Sequence, residues 1–255
     1  MTKILMHGCN GKIGQVLSKL TDNNPDFKIV AGVDVNLSPF NNYPVFSSLK
    51  DCNKDNKDID VIIDFSTANA VPFVLNFAKE RKIPVVICTT GLDEDQMDLI
   101  NETSKFIPIF FSSNMSLGVN LLVSLATRAA EVLCDCGFDI EIVEKHHNQK
   151  IDAPSGTALS IANAIQDTLN NEFVLAFDRS KIRQARNKKE IGVHAIRGGT
   201  IVGEHDIIFA GTDEVITLSH TATSKDVFAI GALKAAKFIA KKSPSLYNMG
   251  HLLEK

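Results

Sequence analysis

The feature that most constrains the fold is a set of short, continuously apolar runs spaced through the first half of the chain. Val61-Ile62-Ile63 and Val85-Val86-Ile87 are apolar on consecutive positions. A strand with one wet face alternates, whereas a strand without alternation is buried on both faces, as in a parallel sheet covered by helices. Residues 3–7, 28–33, 60–65, 85–89 and 107–111 are the expected strands. Residues 13–20, 69–81 and 93–104 carry helical spacing between them. Alternating strands and helices with right-handed crossovers give an α/β fold built on a doubly wound parallel sheet.

After residue 116 the texture changes. Residues 117–133 read as one long helix, Asp139-Ile140-Glu141-Ile142-Val143-Glu144 nearly alternates polar with apolar, and 155–169 is helical again. Residues 193–197, 201–210 and 214–220 then read as strands. Turns at Gly198-Gly199 and Gly211-Thr212-Asp213 separate them, the mark of an antiparallel or mixed sheet. The expected organisation is a first domain of residues 1–115 plus 224–255 and a second, α+β domain of 116–223. The second is inserted before a helix at 227–241 that returns to the first sheet. Residues 178–190 hold six basic residues and little apolar content, which predicts a mobile, solvated loop.

Composition narrows the function classes. Of 255 residues, 44% are hydrophobic and 22% charged, which excludes a disordered or collagen-like chain. Lys plus Arg number 27 against 30 for Asp plus Glu, a net charge of −3. That lacks the basic surplus of an electrostatic nucleic-acid binder. The longest apolar run, 83–88, is strand-sized and far short of the ~18 residues of a membrane span. The opening residues are too short an apolar stretch for a signal peptide. Five cysteines, an odd number without framework spacing, point to a reducing cytoplasm. No nucleic-acid or membrane partner is expected.

Chemistry concentrates at strand ends. Gly8-Cys9-Asn10-Gly11-Lys12-Ile13-Gly14 follows the first strand and opens a helix. Glycines let backbone approach a pyrophosphate, and the helix N-terminus adds free N–H groups and a positive dipole end. The spacing is G-x-x-G-x-x-G, and any strand-to-helix turn wants glycine. Asp34, itself no more than an ordinary βα-turn cap when taken alone, falls 20 residues after Gly14 at the end of the second strand, where a carboxylate binds an adenosine ribose diol, and together with the loop it favours dinucleotide binding. Cys88-Thr89-Thr90 and Ser112-Ser113-Asn114-Met115 follow the strands at 85 and 107, with small polar groups suited to a nicotinamide ribose or carboxamide. The candidate cofactor set is therefore Gly8, Cys9, Asn10, Gly11, Lys12, Ile13, Asp34, Cys88, Thr89, Thr90, Ser112, Ser113, Asn114 and Met115, for NADH or NADPH. Asp34 accepts from a diol and repels a 2′-phosphate, so NADH is modestly preferred, with Lys12 offsetting part of the repulsion.

The densest cluster is Glu144-Lys145-His146-His147-Asn148-Gln149-Lys150, followed by Asp152-Ala153-Pro154-Ser155-Gly156-Thr157. Two adjacent imidazoles and a lysine are proton donors tunable toward neutrality. Ser155 is the expected helix cap, and the N–H groups behind it, with the Thr157 hydroxyl and Lys150, make a carboxylate cradle. A zinc site from Cys134, Cys136, His146 and His147 is the rival reading. Its spacing matches no standard zinc site and adjacent histidines diverge, so no metal is expected.

With these residues in view, the sequence resembles the 4-hydroxy-tetrahydrodipicolinate reductase (dihydrodipicolinate reductase) family. The carrying segments include Gly8–Gly14, Asp64-Phe65-Ser66, Thr89-Thr90-Gly91, Arg197-Gly198-Gly199, Gly203-Glu204-His205 and the specific H-H-x-x-K-x-D-A-P-S-G-T-A run from His146 to Ala158. The resemblance implies a Rossmann-type domain, a substrate domain whose sheet builds a homotetramer, and NAD(P)H-dependent reduction of a small cyclic dicarboxylate on the diaminopimelate route to lysine. It also implies that His146 is the catalytic acid, Lys150 a second proton donor, and His147, Gly156 and Thr157 substrate contacts. Cys88 stands where the family has glycine, and Met115 where phenylalanine is common.

Overall fold

The computed structural model describes residues 1–22, 24–37, 41–52 and 58–254. The chain divides into two units, Met1–Leu117 with Asp226–Lys255, and Gly118–Lys225. Through the first stretch run β1 (Thr2–His7), α1 (Lys12–Asp22), β2 (Phe27–Val33), β3 (Val45–Phe46), α2 (Leu49–Cys52), β4 (Val61–Asp64), α3 (Val71–Arg81), β5 (Val85–Ile87), α4 (Glu94–Ser104) and β6 (Pro108–Phe111). The next elements are α5 (Leu117–Leu133), β7 (Asp139–His146), α6 (Gly156–Thr168), β8 (Val174–Ala176), β9 (Glu190–Arg197), β10 (Gly203–Ala210) and β11 (Val215–Ala222). The chain then returns to the first unit with α7 (Asp226–Ile239), β12 (Ser245–Tyr247) and α8 (Met249–Leu253).

The first unit is the expected parallel sheet, in the order β12-β6-β5-β4-β1-β2-β3. Every residue of β4 and β5 is buried, which is why neither alternates. One core layer packs Ile4, Met6 and Leu17 against Ala232, Ala235 and Ala236 of α7. The other packs Leu5 and Ile62 against Val74 and Leu75 of α3 and Ile100 of α4. Helix ends follow local chemistry. Asp93 and Gln96 form a reciprocal cap at the start of α4, and Lys82 ends α3 with a left-handed φ of 56°. Strand order reverses between β1 and β4, so the carboxyl ends of these strands border a crevice.

The second unit carries the mixed sheet β11-β10-β7-β9-β8. β10 is antiparallel to β7 and β11, while β9 runs parallel to both β7 and β8. Ile140, Ile142, Val193, Ile207 and Phe209 share a core with Leu122, Ala126 and Ala130 of α5 and Ile161 and Ile165 of α6. The other face bears ion pairs, among them Lys145 with Glu204 at 3.0 Å and with Asp206 at 3.1 Å.

Two expectations need correction. The basic segment 178–190 is solvated as expected, with residues 180–185 and 187–189 exposed, but it is also tied down: Arg186 reaches Asp139 at 2.5 Å and Glu141 at 3.0 Å, and Arg179 pairs with Glu190. Asp139 and Glu141 lie on β7, distant in sequence, so the charge of the segment alone does not reveal that tie. The stretch Leu117–Cys136, 20 residues of mean hydropathy 1.5, is long and apolar enough to cross a membrane. A count of unbroken apolar residues misses it, because Ser124, Thr127, Arg128 and Glu131 interrupt it. Leu122, Ala126 and Ala130 place the helix against the second unit's core.

Candidate active site

At the carboxyl edge of the first sheet, Gly8 takes a left-handed φ of 78°. A Cβ at Gly14 would lie 2.4 Å from the Gly8 oxygen and 2.5 Å from the Cys9 oxygen, so the helix start sits directly on the loop only because that Cβ is missing. Asp34 is clamped beneath it: Oδ2 accepts from the Asn10 N–H at 2.8 Å and Oδ1 from the Asn36 N–H at 2.9 Å. The Asn10 N–H is thereby committed within the protein. The first-turn N–H groups of α1, from Lys12, Ile13 and Gly14, precede the first helical bond, made by the Gln15 N–H to the Gly11 carbonyl at 3.0 Å. Lys12 is exposed. Cys9 is fully buried and its thiol is pushed up to about 11, by burial and then by Asp34. Only its backbone is placed to meet a ligand.

A second network occupies the ends of β1, β4 and β5. The fully buried Asp64 accepts from Thr89 Oγ1 at 2.6 Å, Ser66 Oγ at 2.6 Å and His7 Nδ1–H at 2.7 Å. The Thr89 hydroxyl therefore holds the strand ends together, while Thr90 is exposed. Cys88 is buried, and burial raises its thiol well above the ordinary value. Ser112 donates to the Asn114 carbonyl at 3.1 Å, Asn114 Oδ1 caps the Ser116 N–H at 2.9 Å, and Ser113 is exposed. Met115 is buried in the core. Beside β1 and β2, a cavity of about 580 Å³ is lined in part by His7, Val33, Ser48, Phe73 and Phe77. Sequence reasoning singled out none of these five.

In the second unit, β7 ends at His146. Glu144 and His146 are two apart on a strand and share one face. His146 Nδ1–H donates to Glu144 Oε2 at 2.6 Å. Arg197, opposite His146 in the parallel register of β7 and β9, grips both Glu144 oxygens, Nη1 to Oε2 at 2.8 Å and Nη2 to Oε1 at 2.6 Å. The Ser155 N–H completes the set at 2.9 Å. Burial pushes the Glu144 carboxyl up, but Arg197, His146 and Ser155 outweigh it and the net shift is downward. Across the sheet, the His205 ring meets His146 edge-on, centroids 5.3 Å apart, with Nε2 3.2 Å from Ser155 Oγ. Burial first, then the neighbouring His146, lowers His205 to about 4, so it is neutral at pH 7. A Cβ on Gly203 would sit 3.1 Å from His146 Nε2.

After the β7 turn, Ser155 Oγ caps α6 by accepting from the Ala158 N–H at 3.1 Å, as expected. Lys150 Nζ lies 2.8 Å from Asp152 Oδ1. The Asp152 carboxyl is lowered, first by Lys150 and in part by the Gly156 N–H. Two donors of the expected carboxylate cradle thus hold a carboxylate of the chain's own. His147 and Thr157 are half-buried and Gly156 is exposed. Among the described residues no cluster of His, Cys, Asp and Glu is arranged to hold a metal.

Sequence models described as "Dihydrodipicolinate reductase, N-terminus" and "Dihydrodipicolinate reductase, C-terminus" match residues 2–115 and 118–253. The 4-hydroxy-tetrahydrodipicolinate reductase of Caldanaerobacter subterraneus subsp. tengcongensis is 54% identical over 100% of this chain and 99% of its own. That of Clostridium novyi is 45% identical over 100% and 99%. The dipicolinate-bound dihydrodipicolinate reductase from Paenisporosarcina sp. TG-14 has the same fold, with a TM-score of 0.83 over 97% of both chains at 24% identity. The chain belongs to the dihydrodipicolinate reductase family, and is an oxidoreductase of lysine and diaminopimelate biosynthesis that works with a nicotinamide dinucleotide.

Proposed function

We propose that the chain reduces 4-hydroxy-tetrahydrodipicolinate to tetrahydrodipicolinate with loss of water, and that His146 is the acid. The observation that carries this is the turn after β7, which gathers an imidazole, Lys150 and the capped N-terminus of α6. The first unit fits the cofactor. Gly14 lets the α1 N-terminus close on the loop, and the Lys12 and Ile13 N–H groups suit a pyrophosphate. When bound, the nicotinamide supplies the hydride for the conjugated carbon of the dehydrated ring. Lys150, Thr157 and the start of α6 hold the substrate carboxylates, one of which takes the donors now on Asp152. His146 then delivers a proton from Nε2 to the carbon next to the reduced centre. Lys150 is a second donor for that same proton, and His147 and Gly156 line the substrate.

Asp34 supports a modest preference for NADH. Each oxygen accepts one main-chain N–H and keeps room for a ribose hydroxyl, while its charge repels a 2′-phosphate. An assembly of four copies is supported by the uncovered face of the second sheet, where Val143, Ile208 and Val215 lie among the ion pairs. A stable monomer in light scattering would refute it. The free cysteines favour a reducing cytoplasm. The activity is tested by following nicotinamide oxidation with freshly generated substrate. His146→Gln is expected to lose roughly 10²–10⁴-fold in kcat with little change in KM, and near-normal turnover would remove His146 from the acid role.

A further inference from the structure

We propose that Glu144 and Arg197 are positioning residues: Glu144 holds His146 with its proton on Nδ1 and its Nε2 directed outward, and Arg197 keeps Glu144 ionised where water cannot. This deepens the acid role proposed for His146 and rests on it.

Glu144 is completely buried, and a buried carboxylate is costly unless paired and fully hydrogen-bonded. Its two oxygens accept four contacts: His146 and Arg197 on Oε2, Ser155 and Arg197 on Oε1. That fills the acceptor capacity of a carboxylate. A carboxylate can only accept, so a ring nitrogen 2.6 Å away must carry the proton. The tautomer follows: Nδ1 is the donor, and Nε2 is the nitrogen that exchanges a proton with substrate.

The groups facing His146 from each packed element are few. Glu144 comes from its own strand, Arg197 from β9, His205 from β10 and Ser155 from the cap of α6. His205 stays neutral and adds no charge, so the local balance is Glu144 against Arg197 and the ring itself. Arg197 also donates to the Asp152 carbonyl at 2.6 Å. One guanidinium thus ties the carboxylate behind the ring to the segment leading into α6.

A merely structural Glu144 would close β7 onto the α6 cap through the Ser155 N–H and leave the imidazole chemistry alone. The two roles separate in protein labelled with ¹⁵N-histidine, with the His146 signals identified by their loss in His146→Gln. Wild type is expected to show Nδ1 protonated and Nε2 unprotonated in the neutral ring. In Glu144→Gln, whose amide can donate as well as accept, the ring is expected to populate both tautomers. Turnover should fall about 10–100-fold with KM changed less than about twofold, and the alkaline limb of the kcat/KM profile should move down by about one pH unit. Glu144→Asp should recover part of each. If Glu144→Gln does not fold, because it leaves Arg197 unpaired, the same readouts are taken on Glu144→Gln/Arg197→Met, which removes both charges. An unchanged tautomer overturns the proposal, as does a turnover loss equal at every pH. If the wild-type protein turns over no substrate, the acid role fails, and the nitrogen spectra still decide whether Glu144 sets the ring.

Discussion

His205 makes an acid-sensitivity that one substitution should remove. Its ring is buried, its Nε2 faces Ser155, and its Nδ1 has no partner among the described residues. In the unfolded chain it titrates near 6.5, and in the folded protein near 4. Between those values the unfolded state binds a proton that the folded state refuses. Stability is therefore intact above pH 6.5, falls as pH drops toward 4, and falls no further below it. A gap of about 2.5 units corresponds to about 3 kcal/mol in full, of which roughly 2 kcal/mol is lost between pH 7 and pH 4.5. Urea unfolding at both pH values, followed by hydrogen exchange in β7 and β10, reads the second unit alone. His205→Gln cannot titrate, so its loss between the two pH values should be smaller than wild type's by about 2 kcal/mol. Carboxylates titrate in both proteins and cancel in that difference. Equal acid losses in the two would show that His205 is already protonated when folded, and the reasoning from burial would be wrong.

Three further outcomes are expected. Gly14→Ala should abolish nicotinamide binding and lower the melting temperature, because its Cβ meets two main-chain oxygens at 2.4 and 2.5 Å, whereas Gly11→Ala, whose nearest contact is 3.3 Å, should bind nearly as wild type; cofactor fluorescence titration of both decides. Lys150→Ala should raise KM and lower kcat together, and intact kcat would leave Lys150 a binding residue alone. Lys12→Ala should weaken NADPH more than NADH in the same titration, and equal losses, or a wild-type preference for NADPH, would undo the reading of Asp34.

The parallel sheet was legible because burial on both faces abolishes alternation, as at Val61-Ile62-Ile63. β3, β8 and β12 were not, since two or three residues carry no period at all. The glycine loop and Asp34 announced themselves by spacing, but nothing local says that Asp34 spans the Asn10 and Asn36 N–H groups. His146 and Lys150 stood out by residue type. Glu144 had a usable signal, since E-x-H on a strand puts both side chains on one face, but the expected alternation stopped at Glu144 and the strand runs on to His146. Arg197 and His205 reach that face through pairing with β9 and β10, some fifty residues away. Register between distant strands is set by the assembled sheet, not by any window of sequence.

The order of elements along the chain has a consequence for its synthesis. Domains made on a ribosome commonly fold in the order they emerge. Here the first unit cannot: α7, whose alanines cover one face of its sheet, and β12, which borders β6, are translated only after the whole of Gly118–Lys225. Ile4, Met6 and Phe110 thus await a cover that comes more than a hundred residues later, while the second unit emerges as one uninterrupted piece. A chain ended near residue 225 and released should hold a finished second unit and an apolar half-sheet, the state in which a chaperone has most to bind.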